Sequence, residues 1–219
     1  MMQLSYTEEN YLKALLKITY ESGKGQAGTN ELATHMDLKP ATVNDMLRKL
    51  KEKGFISYQK YGKITMLEPG KLKAIEIIRK HRLWETFLYK KLEFTWDEVH
   101  EVAEQLEHIQ SAKLVERLAK FLDFPEFDPH GDPIPDENGL FKVKHKKTLS
   151  EVGIGKKAKM VAVKDNSSLF LKYVMGVGLG LNNVIKVISK QDYDSLMVIE
   201  VNGKRSNVSL KFAENIYVI

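Results

Sequence analysis

The sequence predicts a mostly helical chain with a β-rich C-terminal segment, built around an N-terminal winged helix-turn-helix. Three observations carry this. Residues 1–68 read helix, helix, turn, helix and then two short strands around a polar turn. Residues 69–122 keep a helical period throughout, and residues 149–219 turn to β-rich texture. Between the last two, Pro125 to Gly139 holds four of the six prolines. Each forbids helix continuation and biases its predecessor to extended backbone, so this stretch reads as a structured loop leading into a linker. The expected domains are 1–70, 71–138 and 148–219.

The first helix begins near Ser5, which has capping-box spacing to Glu8. Its inward stripe is Tyr11, Leu12, Leu15, Leu16 and Thr19, and Gly23, Gly25 and Gly28 follow. A short helix over Thr29 to Met36 turns Leu32, Ala33 and Met36 inward. Pro40 suits the first position of a third helix with Val43, Met46, Leu47 and Leu50 buried, ending at Gly54. Phe55–Tyr58 and Ile64–Leu67 flank a turn and make the wing. The second helix of such a motif lies in the major groove with its N-terminal residues at base edges. Those are Lys39, Ala41, Thr42, Asn44 and Asp45. Arg48, Lys60 and Lys63 belong to a basic stretch on the helix end and wing, where phosphates would fall. A solvated basic surface used for protein contacts is the bland alternative, and Asp45 faces phosphates unfavourably.

In the second segment Glu68-Pro69-Gly70 breaks the chain, and a helix is expected from Lys71 to Leu92, carrying His81 and Glu85 four residues apart. Another is expected from Thr95, where Glu98 completes a capping box. On it His100, Glu104, Glu107 and His108 fall within an arc of roughly 100°, apart from the apolar arc of Val99, Val102, Ala103, Leu106 and Ile109. Alone, His81 and Glu85 read as an ordinary solvated pair, and His100 to His108 read equally as a charged outer face or as ligands. Together they suggest a metal site between helices. The chain has no cysteine, so any metal is held by imidazole, carboxylate and amide groups. Such donors suit Mn(II), Fe(II), Co(II) or Zn(II).

Composition excludes little else. Hydrophobic residues are 43% and charged residues 29%, with a net charge of +5. No apolar run approaches the roughly 18 residues of a membrane span. The opening MMQLSYTEEN lacks a basic start and a small-residue cleavage site, so the expected compartment is the cytoplasm. The glycine-rich MGVGLGLNN lacks the GK[ST] ending of a phosphate loop.

The runs IRKHRLWETFL and EVHEVAEQLEHIQSAKLVERL resemble the metal-binding and dimerisation domain of the diphtheria-toxin-repressor family. TEENYLKALLKI and PATVNDMLRKLKEKGFI resemble that family's winged helix, and the likeness covers residues 4–122. It implies a dimeric repressor, not an enzyme, that binds near-palindromic operator DNA when loaded with Fe(II) or Mn(II). It further implies that His81, Glu85 and His100 form an ancillary site and that Asn10, Glu104, Glu107 and His108 form a primary one. In the family's shorter manganese regulators the counterpart of His81 joins a paired-metal cluster, which leaves that division open. Iron-responsive members have Met and Cys where this chain has Asn10 and Glu104, whereas manganese-responsive ones put a carboxylate at the latter. Hard oxygen in place of soft sulfur favours Mn(II) over Fe(II). The C-terminal segment resembles the family's small SH3-like β-barrel, also found in ferrous-iron transport protein A, and Asp165 is where that domain would send a ligand. Leu114, Val115, Leu118, Ala119, Phe121 and Leu122 are the expected dimer surface. Two other readings are a constitutive DNA-binding protein with a structural His/Glu cluster and a dinuclear metallohydrolase. The second leaves the winged helix unexplained.

Overall fold

The computed structural model describes residues 4–23, 25–59, 62–142, 146–191 and 193–219. They divide into two compact units. The first comprises residues 1–81, 105–112 and 135–140, and the second comprises 82–104, 113–134 and 141–219.

The first unit begins with α1 (Tyr6–Ser22), β1 (Ala27–Gly28), α2 (Thr29–His35), α3 (Pro40–Glu52), β2 (Ile56–Tyr58) and β3 (Lys63–Met66). The Ser5/Glu8 capping box forms in both directions, with Ser5 N donating to Glu8 Oε2 at 2.8 Å and Glu8 N to Ser5 Oγ at 3.3 Å. Pro40 opens α3, and Gly54 takes φ 76° in the turn that ends it. The wing pairs Ile56 with Met66 and Tyr58 with Ile64, and β1 adds a third strand beyond β3. Tyr11, Leu12, Leu15, Leu32, Val43, Leu47, Leu50, Ile56 and Ile64 form one core. The inward stripes of the first three helices thus meet over the sheet.

The chain break expected at Glu68-Pro69-Gly70 is instead the start of α4 (Glu68–Lys91). Proline is compatible with a first helical turn, whose N–H groups have no intrahelical partner. Gly70 is needed there because a Cβ would lie 2.2 Å from the Phe55 carbonyl oxygen. Residues of α4 through His81 belong to the first unit, and those from Arg82 to the second.

Helices α5 (Val99–Leu106) and α6 (Ala112–Phe121) follow, with residues 105–112 in the first unit and the rest of both helices in the second. Helix α5 is shorter than expected at both ends. Glu98 still accepts the Thr95 N–H at 2.8 Å. A tight turn closed by Ile109 N to Leu106 O (3.2 Å) takes Glu107 and His108 off the helix. Leu83, Leu118, Ala119, Leu122 and Ile134 form a small apolar cluster.

The proline-rich stretch contains a structured loop. Phe127 bridges Pro133, and Asp128 Oδ1 accepts the N–H groups of His130 (2.8 Å) and Asp132 (2.9 Å). Strands β4 (Lys147–Thr148), β5 (Lys157–Val163), β6 (Val184–Gln191), β7 (Leu196–Val201), β8 (Lys204–Ser209) and β9 (Ile216–Val218) form a sheet in the order β4-β9-β5-β6-β7-β8. Among the described residues β4 and β8 do not pair, so the expected barrel is an open six-stranded sheet. Among the described residues two α-helices interrupt it, α7 (Ser168–Gly176) and α8 (Leu210–Ala213), and a short 3-10 turn over Leu149–Glu151 follows β4. Gly131, at φ 84°, packs backbone to backbone on β5, where a Cβ would lie 2.0 Å from Val161 O. Val163 N donates to His130 O at 3.0 Å beside it.

Candidate metal centres

Two clusters of imidazole and carboxylate groups stand out, one in each unit. In the first, three elements converge. Helix α1 presents Glu9 and Lys13; α4 presents Lys73, Lys80 and His81; the turn after α5 presents Glu107, His108 and Gln110. Glu107 is fully buried, at 0% exposure. Its Oε2 lies 2.6 Å from His81 Nδ1, and Lys13 Nζ donates to both its oxygens at 2.7 and 2.9 Å. His108 Nδ1 lies 2.6 Å from Glu9 Oε2, and Tyr6 stacks on the His108 ring at 4.5 Å. Gln110 Nε2 donates to Glu9 Oε1 at 2.8 Å. The Asn10 Oδ1 atom is buried without a hydrogen-bond partner. A buried acceptor left unpaired costs free energy, and ligation of a cation would satisfy it. Lys80 is 1% exposed; burial lowers its pKa, opposed by Glu76, Glu9 and Glu107. Carboxylate, imidazole and amide oxygen, free of sulfur, are donors that hard divalent ions accept.

In the second unit Glu85, Asp128 and His130 are all buried, and each offers one ligand atom within 4.8 Å of the others. His100 Nδ1 lies 3.2 Å from Glu85 Oε1, and His100 Nε2 lies 3.5 Å from Glu104 Oε1. Burial raises the Asp128 carboxyl to about 7, reinforced by Glu85 and Asp132 and opposed by His130 and Arg82. Burial alone would lower His130, but Glu85 and Asp128 override it and raise it to about 9. The His130 Nε2 atom meets the Trp96 carbonyl at 3.1 Å, and the two rings stack at 5.8 Å. Three buried donors with complementary charge can close on one cation.

The sequence-derived residues therefore distribute as follows. Asn10, His81, Glu107 and His108 lie in the first unit, and Glu85, His100 and Glu104 in the second. Asp165 is exposed, and its carboxylate accepts the Ser167 N–H at 2.9 Å at the approach to α7. Sequence reasoning missed Glu9, Asp128 and His130. The Asp-Pro-His-Gly-Asp run, two potential ligands one residue apart in a glycine-turned loop, was the available signal for the last two.

Of the residues expected to meet DNA, Lys39, Ala41, Thr42, Asp45, Arg48 and Lys63 are exposed. Asp45 is paired with Arg48 at 2.8 Å, which offsets its charge locally. Asn44 is half-buried and accepts the Tyr58 hydroxyl, so its amide ties α3 to the wing. Lys60 lies outside the described residues.

Three family models match in succession: the iron-dependent repressor N-terminal DNA-binding domain over residues 3–64, its metal-binding and dimerisation domain over 67–136, and the FeoA domain over 147–219. A solved structure of ScaR with bound Zn2+ is 33% identical, at a TM-score of 0.77, with 97% of this chain and 98% of that one covered. The chain belongs to the iron-dependent (diphtheria-toxin) repressor family. A manganese-dependent transcriptional repressor in complex with manganese is 28% identical with a TM-score of 0.83, covering 97% of this chain and 99% of that one. The iron-dependent repressor IdeR of Mycobacterium tuberculosis is 30% identical over 135 residues, 62% of this chain and 58% of the relative's length. The chain thus spans little more than half of that relative. The SH3-like assignment of the C-terminal segment follows from the FeoA match. These relatives are transcriptional repressors, so the hydrolase reading falls away.

Proposed function

We propose that this protein is a cytoplasmic transcriptional repressor that binds operator DNA as a homodimer when loaded with a divalent metal, Mn(II) ahead of Fe(II), and that it controls uptake of those metals. The observation that carries this is the joining of α1 to the 105–112 turn. Glu9 meets His108 and Lys13 meets Glu107, so the first helix of the winged helix is anchored in the His/Glu cluster itself. Asn10, Glu107 and His108, with Glu9 or His81 beside them, would hold the ion in the first unit; Glu85, Asp128 and His130, next to His100 and Glu104, would hold one in the second. A bound divalent ion supplies positive charge that concentrates these carboxylates on one point. The residues do the rest: Glu107 fixes the turn, Glu9 and Asn10 fix α1, and α1 packs against α3 through the shared core. Ligand shifts the balance between two arrangements only by its differential affinity for them. The absence of sulfur donors and the carboxylate at Glu104 favour Mn(II).

A second reading has its own support. Lys13 already neutralises Glu107, so the cluster could stand as a structural device in a constitutive DNA-binding protein. Anisotropy of labelled genomic promoter duplex decides. Binding in Mn(II) that is lost in chelator, and lost again in Glu107→Gln, is the expected result. Equal binding in metal and in chelator would leave only the structural reading.

A further inference from the structure

Apart from the basic stretch at the end of α3 and the wing, the net positive charge of this chain does not come from its first 140 residues. Residues 1–140 contain twenty lysines and arginines against twenty-three acids, whereas residues 141–219 contain fourteen against six. The excess therefore belongs to the segment with the open sheet.

Strand register concentrates it on one face. Lys157 pairs with Lys186 across β5 and β6, Lys186 with Glu200 across β6 and β7, and Glu200 with Arg205 across β7 and β8. Directly opposed residues share a face, and neighbours along a strand take the other. The neighbours here are Ala158, Ile185, Val187, Ile199 and Val201, all buried, so the charged row looks outward. Lys159, two positions along β5, extends the same face. The four strands β5 to β8 contain a single acid, Glu200, and it is engaged by Arg205 at 3.3 Å. Among the described residues Lys157, Lys159 and Lys186 have no carboxylate partner. Like charges directly opposite across two strands repel. A sheet that places Lys157 against Lys186 is shaped for an anion outside it.

We propose that this outer face of β5–β8 binds the phosphate backbone of double-stranded DNA without reading its sequence. The row from Lys157 to Arg205 crosses four strands, about 14 Å at usual strand spacing, over which one DNA strand presents roughly four phosphates. No aromatic side chain lies on β5 to β8, so the face lacks the aromatic anchors that dominate protein interfaces and the inserting rings of a membrane-surface element. A weak phosphate-binding face carried by a chain that also engages DNA through α3 meets its ligand at high effective concentration. The inference rests on the DNA-binding reading above and adds a second contact to it.

The test uses the full-length protein with Mn(II) and a labelled duplex of scrambled sequence, roughly four helical turns long. Anisotropy is followed across about 50 to 200 mM salt for wild type, for Lys157→Gln/Lys186→Gln/Arg205→Gln, and for Lys157→Arg/Lys186→Arg. The charge-removing variant should bind about ten-fold more weakly at the low-salt end, with a log–log salt slope shallower by two to three, about 0.9 per lost contact. The charge-keeping variant should match wild type. Wild-type binding with an unchanged slope in the charge-removing variant overturns this proposal and leaves the repressor reading standing. A wild type that binds the promoter duplex in Mn(II) but not the scrambled one overturns this proposal alone, and one that binds neither duplex, with or without metal, sinks both. The same three proteins are also titrated with phosphatidylserine-containing vesicles; a charge-removing variant that loses vesicle binding but keeps duplex binding would assign the face to lipid and also overturn it.

Discussion

Lys13 is the residue on which the behaviour of the first cluster turns. Its ammonium donates to both oxygens of a fully buried carboxylate, so an entering cation must compete with one already in place. Lys13→Gln should therefore tighten Mn(II) binding while destabilising the protein in chelator by about 1–3 kcal/mol, the cost of leaving a buried charged acceptor short of a partner. Calorimetric melting with and without Mn(II) checks both halves; a variant equally destabilised in both conditions would contradict it. Glu8 makes a second, pH-dependent claim. Burial raises its pKa, but Lys53 at 2.6 Å and the Ser5 contacts more than offset this, leaving it below the ordinary 4.5. A depressed carboxyl contributes stability that is present above the unfolded pKa and lost as pH falls through the folded one. The melting difference between wild type and Glu8→Gln should accordingly be constant above about pH 5 and close below 4.5. His81, Glu85 and His100 to His108 could be singled out from spacing alone. Glu9 could not, because an acid in the first turn of a helix is explained by the helix dipole.

At the scale of elements, what was legible followed hydrophobic period and capping chemistry. The Ser5/Glu8 box, Pro40 at the head of α3 and the wing strands all lie where those signals put them. The misreadings share a cause, which is that backbone contacts distant in sequence decided the outcome. Pro69-Gly70 looks like a breaker until Gly70 is seen against the Phe55 carbonyl. The Pro125–Gly139 stretch reads as a structured loop, but what it packs on is hidden until Gly131 is seen on β5. Helix α7 was hidden in a segment read as β-rich and glycine-rich, although Ser167 caps it through the Phe170 N–H. The docking of Gly131 has a testable consequence. Gly131→Ala forces a Cβ into Val161 O at an unfavourable φ, so the loop carrying Asp128 and His130 should lift from β5. Metal stoichiometry by equilibrium dialysis should fall by one ion per chain while the first cluster still loads. Loss of both ions, or of neither, would show that the loop does not hold the second centre.

At the scale of the whole molecule, exposed apolar area indicates assembly. Leu118, Ala119 and Leu122 are buried within the chain, but Leu114 is 39% and Phe121 61% exposed on the same helix α6. The expected dimer surface therefore reduces to the outer face of α6, with Val115 shared between that face and the small core. Phe121→Asp should yield a monomer by light scattering with its metal content unchanged, and a dimer of undiminished stability would move the interface elsewhere. The number of segments and their character were readable from texture. The open edge of the sheet and the grouping of residues 105–112 and 135–140 with the N-terminal unit were not, since neither depends on local pattern.

The stacking of Trp96 on His130 gives the protein an optical handle on itself. An indole pressed against an imidazole changes its emission when that ring exchanges a proton for a metal ion. Trp96 has its ring 5.8 Å from His130 and its own carbonyl held by the same imidazole. Filling of the Glu85–Asp128–His130 centre should register in intrinsic emission. The order in which the two centres load could then be followed in unlabelled protein, with Trp96→Phe as the control that silences the signal.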